Sequence, residues 1–120
     1  MQIMMTFHEP EAEFAKRANP AEAEAYWGGW MAYIGAMNAA GIVVSGAGLM
    51  PPDTATTLRL RDGARQVQDG PYADTKEQLG GFMILEVPDL DTALDWAARA
   101  PAAAAGSVEL RPVLPPMPNG

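Results

Sequence analysis

The chain of 120 residues contains no cysteine and a single histidine, His8. The first absence excludes disulfides, thiolate catalysis and cysteine-bound zinc or iron–sulfur centres. The second leaves any metal with carboxylates for its other ligands, so neither a metal nor a cofactor is expected. Basic residues are also few: eight against fifteen acidic ones, a formal charge of −7. Such a field repels phosphate backbones and anionic lipid, so neither nucleic acid nor a membrane surface is an expected partner. Long apolar runs are missing, since glycine, proline or charge interrupts every stretch short of the roughly 20 residues that span a bilayer. The opening MQIMMTFHEP lacks the basic flank, long apolar stretch and small-residue cleavage site of a secretory leader. The expected location is the cytoplasm.

What is present is a globular balance, 48% hydrophobic against 19% charged, in a length suited to one hydrophobic core. The expected organisation is one domain over residues 1–114 with a proline-rich tail, residues 115–120. Gln2 to Phe7 reads as a buried first strand that leaves its sheet at His8-Glu9-Pro10, and Glu9 to Ala18 as a loop with room for a helical turn. Asn19 as N-cap, Pro20 at the first helical position and Glu22 as the returning cap predict a helix start. Ala23, Tyr26, Trp27, Trp30, Met31, Ile34 and Met37 follow at helical spacing as a buried stripe, and Gly41 supplies the stop. Ile42 to Gly46 resumes as a strand, and a right-handed crossover makes the two strands parallel.

Asp62-Gly63 is a favoured pair for a two-residue type I′ turn, so Thr56 to Arg61 and Ala64 to Asp69 form a hairpin. Its register sets Arg61 opposite Ala64, Leu60 opposite Arg65, Leu58 opposite Val67 and Thr56 opposite Asp69, which places the Asp69 carboxylate at the end of an apolar face. Phe82 to Val87 is apolar at nearly every position, as a central strand covered on both faces would be. Asp89 and Asp91 compete as N-caps for a helix that runs to about Arg99, burying Leu90, Ala93, Leu94 and Ala97 before Pro101 stops it. Ala102 to Gly106 is then a loop or a frayed turn, and Ser107 to Val113 alternates like an outer antiparallel strand. The sum is an α+β, ferredoxin-like antiparallel sheet with two helices on one face and an extra β-hairpin. The sheet's other face would be open, and burying it against a second copy predicts a homodimer.

The segment Asp69-Gly70-Pro71-Tyr72-Ala73-Asp74-Thr75-Lys76-Glu77-Gln78-Leu79-Gly80-Gly81-Phe82 resembles the signature of the DGPF-type YCII-related domain family, with Tyr72 where phenylalanine is usual. The likeness continues through Ile84 to Val87, Asp91 to Ala97 and Gly106 to Val113, and so spans roughly residues 30–114. It implies a dimeric ferredoxin-like domain of the dimeric α+β barrel kind, an occurrence near genes for alternative sigma factors, and, for the wider YCII-related group, a His–Asp pair in a pocket.

Asp69 is the leading candidate for chemistry. A carboxylate at the inward end of an apolar strand has a raised pKa and can serve as a general base, although in Asp-Gly-Pro the same side chain can simply cap its own turn. Tyr72, Lys76 and Glu77 follow closely and could present a phenol, an ammonium and a second carboxylate to a bound anion or carbonyl compound. Solvated loop charges are the plainer account of Lys76 and Glu77. His8 alone titrates near neutrality when unperturbed, and at a strand end it is either an assisting group or a hydrogen-bonded side chain. Ser45 opens Ser45-Gly46-Ala47-Gly48-Leu49, a glycine turn that lacks the Walker lysine but offers a hydroxyl to a ligand. Two functions follow. One is an enzyme or binding protein for a small polar organic molecule, held in a pocket near the Asp69-Gly70-Pro71-Tyr72 loop, with Asp69 as base, Tyr72 and His8 assisting, and Lys76, Glu77 and Ser45 binding. The other is a non-catalytic regulatory module acting with a protein such as an alternative sigma factor.

Overall fold

A computed structural model describes residues 1–73 and 75–117; Asp74 of the signature segment and residues 118–120 of the expected tail lie outside the described residues. In chain order the elements are β1 (Gln2–Pro10), α1 (Glu11–Lys16), α2 (Ala23–Ala39), β2 (Val43–Gly48), β3 (Thr56–Arg61), β4 (Ala64–Asp69), β5 (Glu77–Glu86), α3 (Leu90–Ala98), α4 (Pro101–Ala105) and β6 (Ser107–Pro112). A four-stranded sheet has the order β2-β5-β1-β6, and β3-β4 is a sheet of its own. Every neighbouring pair is antiparallel. Because β1 and β2 both run against β5, they are parallel to each other, as the crossover requires. The architecture is ferredoxin-like α+β with the added hairpin.

Strict alternation along β1 builds one side of the core. Ile3, Met5, Phe7 and Glu9 point to the helices and are buried, while Met4, Thr6 and His8 lie half-buried on the uncovered face. The strand does not end at Phe7. A bulge between Phe7 and His8 restores pairing with β5, so that Glu9 meets Gln78 and Pro10 meets Glu77. Glu11 to Lys16 then forms a short helix, longer than the single turn that the expected loop left room for.

α2 begins at Ala23, later than Asn19-Pro20 suggests. Asn19 Oδ1 accepts from Ala21 N at 2.9 Å and caps a preceding turn, and Glu22 returns no side-chain bond. Its buried stripe is Tyr26, Trp30, Tyr33 and Met37, whereas Trp27, Met31 and Ile34 lie on an exposed side. The helix is apolar all round, so composition alone could not tell which side faces the sheet. Phe7 seats the inner stripe, its ring 4.9 Å from Trp30 and 6.2 Å from Tyr33, both edge to face. Gly41 closes the helix at φ +71°, and Asp89 wins the second cap, its Oδ1 accepting from Thr92 N at 2.8 Å and Thr92 Oγ1 at 2.7 Å. Ala93 and Ala97 are buried by α3, but Leu90 and Leu94 are about half exposed because the short helix turns them outward. Ala102 is buried in α4, a single turn begun by Pro101.

The hairpin register matches the expected one at all four pairs, with positive φ at Asp62 and Gly63. Its position is the surprise. It stands away from the body, giving a radius of gyration of 16.4 Å and extents of 51 × 47 × 18 Å, against roughly 14 Å for a compact chain of this length. β5 is central as expected, and it starts earlier, at Glu77. One of its faces is open, with Phe82 and Ile84 only half-buried.

Candidate functional site

The alternation of β1 carries an acid into the apolar layer. Glu9 is 1% exposed, the single charged side chain among the described buried residues. Its Oε1 accepts from Tyr26 Oη at 2.7 Å and lies 3.6 Å from Arg17 Nη2. Burial holds the Glu9 carboxyl above the usual range, while the Tyr26 hydroxyl and the Arg17 charge pull the other way. Burial likewise pushes the Tyr26 phenol up to about 12, so it remains a hydrogen-bond donor at any physiological pH.

Arg17 fastens this corner. Nε donates to Tyr26 Oη at 3.2 Å, Nη2 to Gly80 O at 3.3 Å, and Nη1 to Leu49 O. Its guanidinium lies against three rings, 4.8 Å from the centroid of Phe14, 5.8 Å from Tyr26 and 5.2 Å from Trp27. The segment before α2 is thereby tied to the ends of β2 and β5. Gly80 leaves room for this corner, since a Cβ would sit 3.1 Å from both Arg17 Nη2 and Glu9 Oε1 and 3.2 Å from Phe14 Cε1 and would press each of them back.

These groups lie in the wall of a cavity of about 370 Å³ between α2 and the β2–β5 side of the sheet. Phe7, Trp27, Trp30, Ile34, Val43 and Met83 supply apolar walls, and Gly46, Gly48, Gly80 and Gly81 supply thin ones. The polar side chains are Glu9, Arg17, Tyr26 and Asn38. The buried indole N–H of Trp30, also in this wall, has no acceptor; a fold normally satisfies such a donor. A mostly apolar cavity with a few convergent polar groups and a perturbed acid is suited to binding a small organic molecule and moving a proton on it.

The residues read from the sequence fall elsewhere. Asp69 is exposed at the end of β4, without the apolar surroundings expected of it, because the hairpin it closes stands off from the core. The turn after it is held by Gly70 N donating to Ala55 O at 2.7 Å and Thr57 Oγ1 donating to Gly70 O at 3.0 Å. Tyr72 is 70% exposed and carries the Arg59 guanidinium 4.4 Å from its ring centroid. Ser45 lies in β2 opposite Ile84, within a strand and not a glycine turn. Gly46 is needed there because a Cβ would come 2.8 Å from the Phe82 carbonyl oxygen and would also press on Met83 Sδ.

Three of the six do gather: His8, Lys76 and Glu77 line an open cleft on the uncovered sheet face with Ser107 and Glu109. His8 Nε2 lies 2.9 Å from Thr6 Oγ1 and 3.8 Å from Glu109 Oε2, and Glu77 Oε1 accepts from Ser107 Oγ at 2.7 Å. Glu9 itself was missed, although the alternation Ile3, Met5, Phe7, Glu9 was there to be read. Arg17 and Tyr26 carry no comparable local signal.

The fold and the enclosed acid define an α+β domain with a mostly apolar cavity. A family model for the YCII-related domain matches residues 1–116, and the chain belongs to that family. An uncharacterized protein, R00369, from Rhizobium meliloti (strain 1021) is 46% identical over 69 residues, and the match spans 56% of this chain and 56% of that protein. A solved structure of 5-chloro-2-hydroxyhydroquinone dehydrochlorinase from Burkholderia phenoliruptrix AC1100, in complex with 2,5-dihydroxybenzoquinone, aligns with a TM-score of 0.55 at 15% identity, covering 95% of this chain and 94% of that one. At that identity the likeness concerns the fold.

Proposed function

We propose that the Glu9 cavity binds a small, mainly apolar, ring-sized organic molecule and that Glu9 exchanges a proton with it. The observation that carries this reading is a carboxylate 1% exposed in an apolar wall, with its pKa raised by burial. Raising the carboxyl's pKa by burial makes its ionised form a stronger base for such a transfer. Both partners of Glu9 meet the same oxygen, Oε1, which leaves Oε2 for the substrate. Tyr26 and Arg17 offset the charge that the transfer creates or removes. The dehydrochlorinase of the same fold is consistent with a ring compound as ligand. The reading also includes a homodimer formed across the uncovered sheet face, where Met4, Phe82 and Ile84 are half-buried.

The test is indole fluorescence and thermal shift of the wild type and Glu9→Gln with phenol, 1,3-cyclohexanedione and a hydroxybenzoquinone as probes, together with deuterium exchange at the dione's acidic carbon. Wild type should bind at least one probe and accelerate the exchange, and Glu9→Gln should bind and lose the acceleration. Equal exchange by both proteins, or no binding by either, would overturn the reading.

A further inference from the structure

The β3–β4 hairpin presents an apolar face that its own chain does not cover. Its inner face is closed by the following turn, through the Thr57–Gly70 bond at 3.0 Å and the Arg59–Tyr72 stack at 4.4 Å. On the outer face Leu58, Leu60 and Val67 are 50%, 63% and 63% exposed. A two-stranded hairpin alone is marginally stable in water, so an arm of this kind calls for apolar cover.

Helix α2 offers a surface of matching chemistry. Trp27, Met31 and Ile34 form a second stripe, 42%, 73% and 37% exposed, and Trp27 and Ile34 also rim the cavity. The spacings agree. Leu58 and Leu60, two residues apart on a strand, are separated by roughly 6.7 Å, and Trp27 and Met31, four apart on a helix, by about 6 Å along its axis. A charge agrees as well: Arg65, paired with Leu60 on the outer face, is opposite in sign to the exposed Glu22 and Glu24 at the start of α2.

We propose that the outer face of the hairpin docks on the Trp27, Met31, Ile34 stripe of a second copy of this chain, so that each cavity is walled in part by its partner's arm. Strands of six residues reach roughly 20 Å, enough to lie along the two turns of a partner's helix that carry Trp27, Met31 and Ile34. Two reciprocal contacts of roughly 20 by 10 Å bury about 800 Å² over both surfaces, short of the roughly 1,200 Å² of a specific interface. The arm therefore adds to the sheet-face contact, and the inference rests on the homodimer of the proposed function.

The absence of native cysteine makes the contact directly testable. Leu60→Cys and Met31→Cys, each in its own chain, are mixed and oxidised mildly. The expected product is the mixed disulfide dimer, at least tenfold over either same-variant dimer. In parallel, Leu58→Asp combined with Leu60→Asp should weaken association at least tenfold in light scattering over a dilution series and keep the native circular dichroism, since both positions are exposed. A mixed product no more abundant than the same-variant ones, or unchanged association of the aspartate variant, would overturn the arm contact even if wild type is dimeric. A mixed disulfide formed by a protein that binds none of the ring probes would uphold it and remove the cavity reading alone.

Discussion

Replacing Glu9 with glutamine separates a carboxylate held against its preference from one that stabilises the fold. The amide keeps the shape and still accepts from Tyr26 Oη, now at 2.7 Å from a carboxylate oxygen, but it carries no charge to desolvate. The Glu9 pKa is raised in the folded protein, so its linkage contribution is full below the unfolded value and is lost as pH rises through the folded one. Wild type and variant should therefore melt together at pH 4, and the variant should gain as pH climbs to 8. What opposes the gain is the attraction of Arg17 at 3.6 Å, long for an ion pair and shared with the Gly80 and Leu49 carbonyls. A relieved functional site commonly returns about 0.5–2 kcal/mol, which for this size is roughly 2–8 °C in the unfolding midpoint. The assay is calorimetry of both proteins at half-unit pH steps. A variant less stable than wild type at pH 7 by a margin that vanishes at pH 4 would refute the reasoning, because it would make the Arg17 pair and not the burial of charge the dominant effect.

Three further outcomes follow from the same geometry. Tyr26→Phe removes a hydrogen bond that favours the Glu9 carboxylate, so the Glu9 carboxyl resonance should titrate at higher pH in carbon NMR, with a stability loss of about 1.5–3 kcal/mol. Gly80→Ala forces a Cβ to 3.1 Å from Glu9 Oε1 and Arg17 Nη2 and should cost about 1–3 kcal/mol by chemical denaturation, with weaker probe binding. Asp69→Asn, at an exposed strand end, should change stability by no more than about 0.5 kcal/mol and leave probe binding unaltered; a lost ligand response there would return Asp69 to the site.

Much of the architecture followed from local chemistry. Asp62-Gly63 has few turns open to it, so the hairpin register was legible to the residue, and the spacing of the strands and helices around it led to the ferredoxin-like order. Asp89, Gly41 and Pro101 each act through their own backbone or the next turn, which is why their effects could be read in place. The alternation of Ile3, Met5, Phe7 and Glu9 was equally local, and it alone sends an acid inward. Tertiary structure decided the rest. Which stripe of an apolar helix faces the sheet depends on what the sheet presents, and Phe7 selected Trp30 and Tyr33 over Met31. Asp69 looked buried because its strand has an apolar face, but a face is interior only if something covers it, and the hairpin stands clear of its own body. Arg17 and Tyr26 follow Glu9 on separate elements and Gly80 lies far along the chain, and they meet at Glu9 only because β1 pairs with β5 and α2 packs across both. Propensity and periodicity act over a few residues, whereas a site assembled from four segments exists only after the chain has closed on itself.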